Sequence, residues 1–281
     1  MLQAELRALG LQWRAERKPA VVVTVLRARG SVPREAGTRM LVAAERVAGS
    51  IGGGHLELRA IADARRLLQG EPVAVEQAIA LGPTLGQCCG GALTLAFTRL
   101  DVEALQTWPA EAPRFTLQLY GAGHVGRAIV QLLAGVPCRV QWIDERASEF
   151  PDQPLPPHIE RLCVEPVEAE VAQAPPGAFF LVLTHSHDLD WAITHAVLQR
   201  GDFGYLGLIG SHTKRARFEG PLRARGMAAA QIERIVCPIG LPGVAGKEPA
   251  VIAVAVVAQL LQVAGQGLGS EKTAVASKSV I

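Results

Sequence analysis

One hexapeptide, Gly121-Ala-Gly-His-Val-Gly126, limits the fold of this chain more than any other part of it. It follows the apolar run Arg114-Phe-Thr-Leu-Gln-Leu-Tyr120 and precedes a stretch of helical periodicity from Val125 to Ala134. A G-x-G-x-x-G run is informative only where it leaves a strand and opens a helix, and that is its setting here. Gly121 permits the tight turn, Gly123 lets backbone approach a phosphate, and Gly126 lets the helix pack closely on the strand. The helix N-terminus, with His124 inside the loop, offers free N–H groups and partial positive charge to an anion. Asp144 lies about 20 residues on, at the end of the run Arg139-Val-Gln-Trp-Ile143, where an acid binds ribose hydroxyls in dinucleotide sites.

Around this hexapeptide, strands alternate with helices. Ala178-Phe-Phe-Leu-Val-Leu183 and Gly204-Tyr-Leu-Gly-Leu-Ile209 read as buried strands, a helix is predicted from about Leu189 to Gln199, and another from Ala250 to Ala264. The alternation predicts a Rossmann-like, doubly wound parallel-sheet domain over 113–264, with 265–281 as a flexible tail. Before Pro109 and Pro113 the pattern differs. A short helix from Leu2 to Lys18 precedes strands at Ala20–Leu26, Arg39–Ala43 and Ala92–Phe97, with a helix from His55 to Gln69 between them. The fold class expected is therefore α/β, a small N-terminal α/β domain over 1–112 followed by the Rossmann-like domain.

The N-terminal part carries its own chemistry. In Gly86-Gln-Cys-Cys-Gly-Gly91, Cys88 and Cys89 stand beside Gly90 and Gly91, which admit a ligand or another backbone at close range. Thiolates are soft ligands for transition metals and nucleophiles for sulfur transfer. No second Cys-x-x-Cys accompanies them, which argues against structural zinc. Position favours Cys89, next to Gly90, over Cys88 as the contact. Gly49-Ser-Ile-Gly-Gly-Gly54 places Gly52, Gly53 and Gly54 before the His55 helix as a second candidate anion cradle. Upstream, Ser31 and Arg34 of Gly30-Ser-Val-Pro-Arg34, together with Arg39, add a hydroxyl and cations suited to an anionic ligand.

Two further segments follow strands. His185-Ser-His-Asp-Leu-Asp190 partly matches a metallo-hydrolase run, but Trp191 and Ala192 stand where a further ligand belongs. A polar cluster with Asp188 or Asp190 capping the next helix is the better reading. In Leu208-Ile-Gly-Ser-His-Thr-Lys-Arg-Ala216, Ser211 is placed to cap a helix whose Lys214 and Arg215 form a solvated basic face.

Composition narrows the function classes. The 281 residues are 49% hydrophobic, enough for packed cores, and the net charge of +2 with scattered basic residues argues against a nucleic-acid binder. The first residues, Met1-Leu-Gln-Ala-Glu-Leu-Arg7, carry charges and no apolar leader core. The apolar run Ala250–Leu261, interrupted by Gln259, falls short of the roughly 18 residues of a spanning helix. Five cysteines in no framework spacing suggest free thiols. Together these predict a cytoplasmic protein with no membrane association.

In this order, Gly30-Ser-Val-Pro-Arg34, Gly49-Ser-Ile-Gly-Gly-Gly-His-Leu-Glu57, Gly86-Gln-Cys-Cys-Gly-Gly91, Tyr120-Gly-Ala-Gly-His-Val-Gly-Arg127, Leu208-Ile-Gly-Ser211 and Pro238-Ile-Gly-Leu241 resemble the xanthine dehydrogenase accessory protein family, XdhC/CoxI. The resemblance covers about residues 10 to 262. It implies a chaperone for the molybdenum cofactor in its molybdopterin form. Such a protein holds the cofactor while a cysteine desulfurase helps install the terminal sulfido ligand, and delivers it to a xanthine dehydrogenase. It implies a homodimer and an accessory protein rather than an enzyme, with Cys88 or Cys89 in contact with the molybdenum or its sulfur. Relatives commonly carry, in the loop before the last helix, a proline followed shortly by a glutamate; here Pro249 is followed by Ala250-Val-Ile252 and the nearby acid, Glu248, precedes it. The competing readings are an NAD(P)-dependent oxidoreductase, or a nucleotide-sensing regulatory protein, using Gly121, Gly123, Gly126 and Asp144.

Overall fold

The computed structural model describes residues 1–81, 90–109 and 112–276, with side chains to residue 266. The chain divides into two compact units, Met1–Glu111 and Ala112–Ile281.

The N-terminal unit is built on an antiparallel sheet. Its strands are β1 (Ala20–Arg29), β2 (Arg39–Ala43), β3 (Val47–Gly49), β4 (Glu76–Ala80) and β5 (Ala92–Arg99), in the order β3-β2-β1-β5-β4. The first six residues of the central strand β1 read as a mainly apolar run, interrupted by Thr24, because both faces are covered there. Val21, Val23 and Val25 pack with Leu56, Ala60 and Ala64 of α2 (Gly54–Leu68). Ala20 and Val22, on the opposite face, pack with Leu6 and Trp13 of α1 (Gln3–Ala15) and with Leu105 of α3 (Val102–Gln106). The edge strands β3 and β4 lack such a run. In β4 only Ile79 is buried, so no apolar pattern announces it.

The C-terminal unit is a six-stranded parallel sheet of order β11-β10-β9-β6-β7-β8. The strands are β6 (Thr116–Tyr120), β7 (Arg139–Asp144), β8 (Ile159–Cys163), β9 (Phe179–Val182), β10 (Tyr205–Leu208) and β11 (Ile235–Val236). Chain order runs outward from β6 through β7 to β8, then returns to β9 on its other side and on to β11. The reversal between β6 and β9 creates the crevice where open α/β sheets bind ligands. On one face, Leu117 and Leu119 pack with Ile129 and Leu133 of α4 (His124–Leu133) and with Val256 and Leu260 of α8 (Pro249–Ala276). On the other face, Phe180, Val182 and Leu206 pack with Ile193 and Val197 of α5 (His187–Arg200), and with Phe218 and Leu222 of α6 (His212–Ala224). The short α7 (Ala229–Glu233) adds Ile232 to that face.

Two expectations change at the C-terminal end. The last helix continues to Ala276, so the segment beyond 264 expected as a flexible tail is helical that far. The apolar stretch expected to fall short of a membrane span also reaches further. Pro249–Gln266 is an 18-residue helical window of mean hydropathy 1.6, long and apolar enough by length and composition, and 33% of it is buried. Its buried side packs on the sheet through Ala253, Val256 and Leu260. Gln259, an interruption in the apolar run, is an anchor: its Oε1 accepts from Tyr205 Oη at 2.6 Å and from Gly240 N at 2.9 Å.

Candidate functional site

In the N-terminal unit three glycine motifs meet. A Cβ on Gly91 would lie 2.4 Å from the Ser31 carbonyl oxygen and 2.6 Å from that of Arg29, so the chain entering β5 lies directly against the chain leaving β1. A Cβ on Gly52, which has φ +128, would lie 2.5 Å from the Pro33 ring. Only glycine allows both approaches. Gly30, Ser31, Gly52 and Gly91 thus form one cluster, while Gly90 faces open space and the Ser31 and Arg34 side chains are exposed. Leu81 N donates to Gly91 O at 2.8 Å, pinning the two described flanks of the segment that carries the cysteine pair. Cys88 and Cys89 themselves lie outside the described residues.

The glycine loop before α2 is already filled. One oxygen of Glu57, Oε2, accepts from Ser50 Oγ at 2.6 Å, Ile51 N at 3.0 Å and Gly53 N at 3.1 Å. Gly53 and Gly54 have φ of +74 and +64, which turn these amides inward. The loop expected to cradle an external phosphate therefore holds an internal carboxylate, supplied by the first turn of the helix it opens.

In the C-terminal unit the hexapeptide behaves as its spacing predicts. Gly121 has φ +119, and a Cβ there would lie 2.2 Å from the Leu183 carbonyl oxygen. A Cβ on Gly126 would lie 2.1 Å from Gly121 O. Gly123 has free space around it and stands at the N-cap of α4 with no side-chain cap, and His124 beside it is exposed. By contrast α5 and α6 are capped by Ser186 and Ser211. The first-turn amides of α4 are thus left open to an anion.

Asp144 ends β7 as expected, but it is 5% exposed and turned inward. Its Oδ2 accepts from Ala122 N at 2.7 Å and Arg146 Nη2 at 3.0 Å, and its Oδ1 from Arg146 N and Nε, both at 3.0 Å. Burial opposes its ionisation, yet the hydrogen bonds of Arg146 and Ala122 outweigh it and hold the pKa below the ordinary value. Asp144 lines the crevice together with the next residue, Glu145, whose Oε1 lies 3.6 Å from His185 Nε2. Tyr120, Gly121, Thr184 and His185 line this cleft with it, at the carboxyl ends of β6, β7 and β9. Glu145 gave no separate signal beyond its place beside Asp144.

Among the described residues no group of three or more His, Cys, Asp or Glu is placed to hold a metal ion. Neither Asp188 nor Asp190 caps α5, since Ser186 Oγ accepts from Leu189 N. Asp190 is 1% exposed and binds Thr184 N, Thr184 Oγ1 and Lys214 Nζ. Lys214, read from sequence as part of a solvated face, is half-buried as its partner.

Residues 117–260, just over half of the chain, match the family model described as the XdhC Rossmann domain, and residues 13–77 match that of the XdhC and CoxI family. The uncharacterized protein YqeB of Escherichia coli (strain K12) is 29% identical over 256 residues, which cover 89% of this chain and 44% of that protein. The chain thus spans less than half the length of this curated relative. A crystal structure described as a xanthine dehydrogenase from Bacillus halodurans shares the fold. Its TM-score is 0.73 at 19% identity, over 94% of this chain and 96% of that one.

Proposed function

The chain belongs to the XdhC and CoxI family, and on that premise we propose that it is an accessory protein that carries the molybdenum cofactor to a xanthine dehydrogenase. The cofactor is cargo: the chain binds it in its molybdopterin form and shelters it while a cysteine desulfurase supplies the terminal sulfido ligand. The chain catalyses no turnover of its own in this reading, and acts as a homodimer in the cytoplasm.

The observation that carries the reading is the cluster of Gly30, Ser31, Gly52 and Gly91, in which Gly91, at the flank of the segment bearing Cys88 and Cys89, lies against the backbone leaving β1. A flank held in this way suits a segment whose thiolates meet a soft metal or its sulfur. The open N-terminus of α4 at Gly123 is the stronger phosphate cradle of the two, because Glu57 occupies the other. The nicotinamide reading is weaker, because the Asp144 carboxylate is already committed to Ala122 and Arg146.

The test is retention of cargo. Purified protein is mixed anaerobically with molybdenum cofactor and desalted, and molybdenum and pterin are measured for wild type, Cys88→Ala and Cys89→Ala. Near-stoichiometric retention lost in one cysteine variant is expected. No retention by wild type, with binding of NAD(P) instead, overturns the proposal.

A further inference from the structure

A cavity of about 530 Å³ in the C-terminal unit has no part in the reading above, and it shares no lining residue with the crevice at Tyr120, Gly121 and Glu145. It lies between the first turns of α5 and α6, which follow the neighbouring strands β9 and β10. That is the carboxyl end of the sheet, where open α/β folds take ligands. Its volume is within the roughly 300–1,000 Å³ of small-molecule sites. Each helix brings an aromatic wall. On α5 the Trp191 indole is held by the His195 ring, stacked at 4.9 Å, and by the Arg225 guanidinium, 4.3 Å over the ring. On α6 the wall is Phe218, 7% exposed.

The polar part of the lining divides into groups that are committed and groups that are not. Lys214 donates to Asp190 and to the Ile209 carbonyl, and Ser211 Oγ accepts from the Lys214 amide. Asp188 of α5 and Arg217 of α6 are left, beside the His187 imidazole. Both are exposed, and among the described residues neither lies within ion-pair distance of an opposite charge. A single exposed charge of this kind is ordinary on a surface. Here an acid on one helix and a base on the other border the same cavity without meeting, although each would gain from the other. The spacing sets each charge beside a wall or a helix end. Asp188 stands three residues before Trp191 on one face of α5, and Arg217 four residues after Thr213 on one face of α6.

We propose that this cavity binds a small zwitterion with an apolar body, a free amino acid or a short peptide. Its carboxylate meets Arg217, its ammonium meets Asp188, and its apolar part lies against Trp191 and Phe218. A simple anion would face Asp188 and a simple cation would face Arg217, while a neutral molecule would leave both charges unanswered. The positive end of α6, whose first turn carries Thr213, favours the carboxylate on the Arg217 side. The proposal is independent of the cargo reading, since no residue of the glycine motifs or of the cysteine segment enters it.

The experiment is calorimetric titration of the full chain with L-leucine, L-phenylalanine and the dipeptide L-phenylalanyl-L-alanine. N-acetyl-L-phenylalanine, which lacks the ammonium, and L-phenylalaninamide, which lacks the carboxylate, are the controls. Expected is saturable binding of at least one zwitterion, with the tightest of the three naming the source, and both controls about tenfold weaker or more. Asp188→Asn weakens the zwitterion and leaves the N-acetyl control where it was. Arg217→Gln weakens the zwitterion and leaves the amide where it was. A general loss of folding would lower all of them together, so this selectivity separates recognition from damage. The proposal is overturned by no saturable binding of any zwitterion at millimolar concentration, by a control that binds as tightly as L-phenylalanine, or by full affinity in either variant.

Discussion

Lys214 Nζ lies 2.5 Å from Asp190 Oδ2, joining two helices that leave neighbouring strands β9 and β10. Lys214 also donates to the Ile209 carbonyl at 2.8 Å, and the other Asp190 oxygen accepts from Thr184 N and Oγ1 at 2.9 and 2.7 Å. Each charge is thus surrounded by hydrogen bonds as well as by its partner, the condition under which a buried ion pair is tolerated.

Removing one partner of this pair leaves the other buried and uncompensated. Asp190→Ala is expected to destabilise the C-terminal unit by about 3–5 kcal/mol. The double variant Asp190→Leu, Lys214→Met is expected to lose much less than the sum of the single changes. Urea unfolding of wild type, Asp190→Leu, Lys214→Met and the double variant measures the coupling, and that of Asp190→Ala the single loss; additive losses would show that the two charges do not act as a pair.

The three glycines of the hexapeptide differ in what an added side chain would meet. Gly121→Ala and Gly126→Ala force a methyl to within 2.2 and 2.1 Å of carbonyl oxygens, so both are expected to unfold the unit or cost it several kcal/mol. Gly123→Ala meets nothing within 4 Å at φ −68, and is expected to cost about 1 kcal/mol or less through the N-cap. Thermal unfolding ranks the three.

Opening the filled glycine loop tests what Glu57 does there. Glu57→Ala strands Ser50 Oγ and the amides of Ile51 and Gly53, at a cost of about 1–3 kcal/mol. Added phosphate is then expected to raise the melting temperature of the variant and not that of wild type, because an anion occupies the vacated nest. Equal effects of phosphate on both proteins would contradict this role.

Acid stability is expected to depend on Asp144. Its pKa in the folded protein lies below the ordinary value of 3.8. Its contribution is therefore complete above that value and lost as pH falls through the lower, folded one. Stability measured by denaturant titration between pH 7 and pH 2 is expected to fall at the acid end. In Asp144→Asn that part of the decline is absent and stability at neutral pH is lower.

Thiol reactivity is expected to follow burial. Burial pushes Cys138 up to about 12 and raises Cys237, while Cys163 is exposed. At pH 8 iodoacetamide is expected to modify Cys163 in the native protein, and Cys138 and Cys237 only after denaturation. Peptide mass mapping reads the order; early modification of Cys138 would overturn it.

The strands β1, β6, β7, β9 and β10 are legible because apolar side chains dominate where they pack into the cores, a buried exception, Gln118, being bonded to Gln141 of the next strand. The edge strands β3, β4, β8 and β11 are not, since one covered face or a short ladder asks little of the residues. The positions of Gly121 and Gly126 are likewise legible, as backbone conformation and the spacing of a strand–turn–helix are properties of neighbours in the chain.

Hydrogen-bond partners distant in sequence are decided by packing. Sequence alone selects Asp144 as the acid for a ligand, and the fold commits its oxygens to Ala122 and Arg146 and places Glu145 beside it on the same cleft. It selects the Gly52–Gly54 loop as an empty cradle, and the helix behind it returns Glu57 to fill it. It assigns Lys214 to solvent, and the sheet brings it to Asp190. Pattern and spacing determined which segments fold together and where a site forms. Tertiary structure decided which charged groups in that site remain free, because a buried charge is held only where packing supplies its partner.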